Sequence, residues 1–166
     1  MPSYTINNQN AGSQQAMATT FKTLLTAGAT TGATTLRRIW ITELEWGATD
    51  VPAATDGPIM LDMSVYTTAG TMTALTPIKT DGGLGGPDAA ALGTYQANAS
   101  AEPTYNASSS VFFKSINQRA SDKQWWRDKA TCPISPAVTV NGWGIRAKCG
   151  TASYASFMGA QASVEE

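Results

Sequence analysis

From Gly142 to Cys149 every second residue is apolar: Trp143, Ile145, Ala147 and Cys149 alternate with Gly144, Arg146 and Lys148. Ile59, Leu61, Met63 and Val65 alternate with Asp62 and Ser64 in the same way. A period of two is the signature of a strand with one face on a core and the other on water. A helix would scatter these side chains around its axis. Threonine density and frequent glycine and proline reinforce the preference, because β-branched residues fit a pleated surface and Gly and Pro punctuate strands.

Other segments carry weaker versions of that pattern. Around Ala18 to Thr26 (ATTFKTLLT), Met17, Phe21 and Leu24 have helical spacing, but the threonines favour a strand. Arg37 to Trp46 (RRIWITELEW) reads as a strand with Trp40, Leu44 and Trp46 on one face. Arg37, Ile39, Ile41, Glu43 and Glu45 fall on the other. Gly47 to Pro58 is a loop, and Thr71 to Lys79 is a weaker strand interrupted by Pro77. Asp81 to Asp88 is too rich in glycine to be regular, and the run to Ala101 has no clear pattern. Ser110 to Ile116 and Lys123 to Asp128 are strand-like, Thr131 to Pro136 is an edge or crossover, and Tyr154 to Val164 closes the chain. Seven to nine strands at this spacing predict an all-β, single-domain antiparallel sandwich over residues 16–166, jelly-roll-like. Residues 1–15 are polar and aperiodic and read as an extended N-terminal arm, ordered only against a neighbour. Tyr4, Ile6, Asn8 and Gln14 on that arm are candidate contacts to such a neighbour.

Composition removes whole classes of chemistry. The 166 residues include no histidine, which excludes Ser-His-Asp and Cys-His nucleophilic mechanisms and His-based zinc sites. Two cysteines, Cys132 and Cys149, cannot build a four-cysteine site, and without an export signal they are expected as unbridged thiols. Charged residues are 14% with a formal net charge of -1, so no basic face grips nucleic acid or anionic lipid. No apolar run is long enough to span a bilayer, and synthesis in the cytoplasm is the default expectation.

Few residues suggest chemistry. Glu43 and Glu45 lie two apart on one strand face, whereas a glycosidase draws its carboxylates from strands facing across a cleft. A solvated face paired with Arg37 or a lysine accounts for them. Gly82 to Gly86 lacks the Lys-Ser/Thr of a phosphate loop, and Pro87 stands where the helix would begin. Asp50, Asp56, Asp81 and Asp88 lack the spacing of a calcium loop. Asn98-Ala99-Ser100 and Asn106-Ala107-Ser108 match the glycosylation tripeptide, which matters only on a secreted eukaryotic chain. Trp125-Trp126 places one indole on each strand face, one for the core and one as an exposed platform. No catalytic residue, cofactor or metal site is expected.

The order of landmarks resembles the head decoration, or cement, proteins of tailed bacteriophages. The resemblance runs from Thr20 to Glu166. It comprises Lys22 to Leu25 (KTLL), the Arg-Arg-hydrophobic strand reaching Glu45-Trp46-Gly47, and Thr68 to Thr71 (TAGT) leading into Leu75-Thr76-Pro77. Ala101-Glu102-Pro103-Thr104, Gly142 to Arg146 (GWGIR) and the final strand to Glu165-Glu166 complete it. These are scaffold landmarks, not active-site motifs. The resemblance implies a jelly-roll-like sandwich, a homotrimer, and a place on the capsid exterior with the major capsid protein as partner, with Tyr4, Ile6, Asn8, Gln14, Trp125 and Trp126 as candidate capsid or subunit contacts. It implies no nucleic acid, membrane or cofactor. The alternative is a receptor- or carbohydrate-binding sandwich of a phage tail or fibre, using Trp125 or Trp126. A carboxylate-dependent hydrolase rests on Glu43 and Glu45 alone.

Overall fold

The computed structural model describes residues 3–12, 14–29, 38–48, 57–80, 93–136, 141–150 and 157–166. Arg37, the loop aspartates Asp50, Asp56, Asp81 and Asp88, the glycine run at 82–86 and Tyr154 lie outside them. The described strands are β1 (Ser3–Asn7), β2 (Gln15–Ala16), β3 (Lys22–Gly28), β4 (Trp40–Ala48), β5 (Pro58–Thr68), β6 (Thr71–Ala74) and β7 (Ile78–Lys79). They continue with β8 (Thr94–Ala101), β9 (Thr104–Tyr105), β10 (Phe112–Asn117), β11 (Ser121–Trp125), β12 (Gly142–Cys149) and β13 (Phe157–Glu165). One short 3-10 turn, Asn8–Ala11, follows β1.

The strands form two antiparallel sheets packed as a sandwich. Sheet A runs β11-β4-β13-β1-β7, with β2 also on β13; sheet B runs β10-β5-β12-β3-β8-β6, with β9 also on β5. Between them lie Leu24, Leu25, Ile41, Leu44 and Trp46, closed by Ile59, Leu61, Met63, Ile145 and Val164, all within 2% of full burial. The alternation of β12 holds: Trp143, Ile145, Ala147 and Cys149 face the core, and Arg146 and Lys148 face outward half-buried.

Two irregularities change which residues reach that core. Val164 pairs with Ile41 but Ser163 pairs with Glu43, so Thr42 is an extra residue on β4. A bulge of this kind resets the alternation. It brings Ile39 and Ile41, expected on the glutamate face, into the core beside Leu44 and Trp46. Likewise Ile145 pairs with Leu25 and Arg146 with Thr23, so Leu24 is extra on β3 and both leucines are buried. Pro77 marks a change of sheet: β6 belongs to sheet B and β7 to sheet A. The run up to Ala101, patternless in sequence, supplies β8, which buries Tyr95, Ala97 and Ala99.

The N-terminal segment is extended, but it is built into the sandwich. β1 pairs with β13 from Ser3–Glu165 to Asn7–Gln161 and with β7 on its other side. Tyr4 and Ile6 are each 1% exposed in the core. Asn8, fully buried, donates to the Met158 carbonyl at 2.8 Å and accepts the Ala160 N–H at 2.9 Å. It also bonds Asn98 of β8, whose φ of 53° turns that residue toward it. The expectation of an arm that orders only on a neighbour is therefore corrected for residues 3–12. Two apolar residues alternating with Ser3, Thr5 and Asn7 suffice for a strand when β13 stands ready to pair.

The outer face of sheet B is not a solvent face either. Asp62 and Ser64, expected to point to water, are 3% and 0% exposed. The segment Glu102 to Ser110 crosses over them. Asp62 accepts from Arg146 Nε at 2.6 Å, from Ser64 Oγ at 2.6 Å and from Ser110 Oγ. The Arg146 guanidinium lies between the rings of Phe21 and Tyr105, 4.6 and 4.2 Å from their centroids. Tyr105 rests on Gly144, where any Cβ would collide with its hydroxyl. Burial holds the Tyr105 phenol well above its ordinary value. Thr23 completes the fastening, donating its hydroxyl to Glu102 at 2.6 Å and accepting from Tyr105 at 2.7 Å. Gly144→Val is expected to lift this segment, read as new protease cleavage between Glu102 and Ser110 at temperatures where the wild type resists.

Cys132 and Cys149 are both buried and are not joined to each other. Cys132 sits on the turn after Trp126, and Cys149 ends β12 in the other sheet. Burial raises the Cys132 thiol above its usual value, which slows its oxidation. Adding reductant should leave the thermal midpoint unchanged; a fall of the size a lost bridge gives, about 2–5 kcal/mol, would contradict this.

Candidate interaction surface

The seam where the two sheets part along β10 and β11 gathers Trp46, Phe112, Phe113, Trp125 and Trp126. On β10, pairing with β5 sets Phe112, Lys114 and Ile116 inward and Phe113 outward. On β11, pairing with β4 sets Asp122 and Gln124 toward the seam and Ser121, Lys123 and Trp125 outward. Phe112 lies edge-on to both Trp46 and Trp126, each at 5.7 Å between centroids. The three rings close the gap. Lys114 sits 5.7 Å over the Trp46 ring and donates to Asp122 at 2.6 Å.

That ammonium, with the Lys123 N–H, holds the Asp122 carboxyl below its ordinary value. A depressed carboxylate stabilises the fold above its unfolded value and stops doing so as pH falls through the folded one. The pair is close to solvent, so Asp122→Asn is expected to cost less than about 1 kcal/mol at neutral pH and nothing in acid.

Beside this closed seam stand three large apolar side chains in water. Val111 is 55% exposed, Phe113 59% and Trp125 58%. Phe113 and Trp125 neighbour in sequence the packed pair Phe112 and Trp126, so they flank one end of the seam on its two outer sides. β10 and β11 are the outermost strands of their sheets on this side. Arg127 lies 5.1 Å over the Trp125 ring, which leaves that ring amphipathic rather than greasy.

Of the residues marked by the sequence, Trp125 is exposed and Trp126 packs against the core, as the strand alternation requires. Tyr4, Ile6 and Asn8 are buried within this chain and offer no surface to a capsid or subunit, which corrects their candidacy. Gln14 is half-buried on the far side of sheet A, beside Phe157 and Gly12. Glu43 and Glu45 do face the same way, but Glu43 is bound by Lys123, whose ammonium it holds above its usual value. Among the described residues no group of three His, Cys, Asp or Glu side chains converges as a metal site. Sequence reasoning marks neither Val111 nor Phe113. The pair Phe112-Phe113 signals one outward ring on any strand, and only the position of β10 at a sheet edge leaves that ring uncovered.

Compared with known proteins, the chain matches no family model and no curated relative.

Proposed function

We propose that this protein is a structural virion component that binds the outer surface of a phage capsid and stabilises it, as a homotrimer made in the host cytoplasm. The observation that carries the reading is the exposure of Val111, Phe113 and Trp125 on the two strands, β10 and β11, that border one sandwich edge. Large apolar side chains left in water beside a sheet edge suit a protein contact, and aromatic anchors dominate the energetics of such contacts. Low charge and short side chains elsewhere suit close packing on a flat lattice, since little side-chain entropy is lost on ordering. The jelly-roll-like layout and the trimer come from the resemblance to decoration proteins, now with the seam rather than an N-terminal arm as the contact.

Undecorated heads mixed with the wild type should bind it and survive higher temperatures. Phe113→Ser with Trp125→Ala should melt like the wild type yet bind at least about 30-fold more weakly, the loss of about 2 kcal/mol that one anchor gives. Light scattering of the free protein checks the trimer. If the wild type leaves heads undecorated, or decorates them without raising their heat tolerance, the reading is wrong.

A further inference from the structure

A second surface lies across the outward face of sheet A, and strand register explains its shape. Ser121, Gly47 and Gly159 fall in one lateral row across β11, β4 and β13. The next row is Lys123, Glu45, Gln161 and Asn7, ending on β1. Two adjacent glycines remove the side chains from the first row, while the second row stands up as a wall. The result is a trough of about 300 Å³ running across the strands, floored by Gly47 and Gly159 and closed by Gln9 from the 3-10 turn. Three inter-strand steps of about 4.8 Å make it roughly 14 Å long. A volume of this size falls at the small end of ligand sites.

The chemistry of the lining is specific. Gln9, Glu45, Ser121 and Gln161 have side chains with no hydrogen bond or ion pair among the described residues. Together they present two amides, a carboxylate and a hydroxyl, so the trough offers both donors and acceptors. Asn7 is held in place by the bond its Oδ1 accepts from the Asn10 N–H at 2.9 Å. Glu45 is the one charged side chain of the lining, and Lys123 across the β4–β11 pair is taken by Glu43, so the trough carries a negative charge that disfavours anionic ligands. At the end shared with Gln9 a second hollow exposes the Phe157 ring, 39% accessible.

We infer that this trough binds a short neutral oligosaccharide. Vicinal hydroxyls pair with planar amides and carboxylates through two bonds at once, and the two glycines leave no side chain standing between Ser121 and the Glu45–Gln161 row. Val111, Phe113 and Trp125 do not line the trough, and the inference does not depend on where on a virion the protein sits.

The test uses the full chain on a printed array of short neutral oligosaccharides beside sialylated and sulfated ones, followed by calorimetry with the best neutral binder. Retention of neutral glycans is expected, with affinity falling about tenfold in Gln161→Ala and in Glu45→Ala, the effect of one lost hydrogen bond in a binding site. Both side chains are at the surface, and an unchanged melting temperature confirms intact variants. Trp125→Ala should bind sugar like the wild type even where it fails on heads, which separates this site from the capsid contact. No neutral glycan retained, retention of charged glycans alone, or wild-type affinity in the two trough variants would each overturn the inference.

Discussion

A chain lacking residues 1–12 is expected not to fold. Tyr4 and Ile6 sit in the core at 1% exposure, and β1 fills sheet A between β13 and β7. Truncating a buried Ile to Ala costs about 2–5 kcal/mol and a buried aromatic about 3–5. Loss of Asn8 would strand the Ala160 N–H and the Met158 carbonyl in the interior, about 1–3 kcal/mol for an unsatisfied buried group. Deletion removes all of these and opens the β13 edge from Gln161 to Glu165. Domains of this size hold only about 5–15 kcal/mol in total, so the deletion consumes the whole margin. Circular dichroism and denaturant titration check it. The graded form is Ile6→Ala, which should fold and lose about 2–5 kcal/mol by its urea midpoint. A deletion variant that melts cooperatively near the wild type would show that β1 lies on the sandwich without supporting it.

The second large effect is expected at Arg146. Its guanidinium is held between Phe21 and Tyr105 and bonded to Asp62, whose side chain is 5% exposed. Arg146→Met leaves the Asp62 carboxylate buried with only the Ser64 and Ser110 hydroxyls as donors, together with any donor outside the described residues. Breaking one side of a buried pair costs about 3–5 kcal/mol, chiefly because the other charge is stranded. Exchanging both partners for apolar residues removes that charge, so Arg146→Met with Asp62→Leu should recover much of the loss. A double-mutant cycle by urea unfolding reads the difference. Equal losses in the single and double variants would mean that the ring stacking, not the ion pair, fastens Glu102 to Ser110 on sheet B.

Half of the seam is legible in the sequence. Alternation assigns one indole of Trp125-Trp126 to each face, and they do part in that way, Trp126 onto Phe112 and Trp125 into water. The trough is not legible there, because Gly47 and Gly159 are 112 positions apart in the chain (159 minus 47) and become neighbours only through the β4–β13 pairing. Nothing near either glycine announces the other.

The same division runs through the fold. Period-two alternation, β-branched density and Gly and Pro punctuation are properties of a few consecutive residues, and they determined the all-β class, the strands β5, β10 and β12, and the inward face of β12. The absence of histidine and the low charge were likewise complete in the sequence. Pairing is not local. Whether Ser3–Asn7 is an arm or a strand depends on β13 at the far end of the chain. Whether Ile41 faces in or out depends on a bulge defined by its partner, and whether Asp62 meets water depends on a segment some forty residues later that folds over it. Each was decided when distant strands met, because a strand's hydrogen bonds and the cover on its faces are supplied by other parts of the chain.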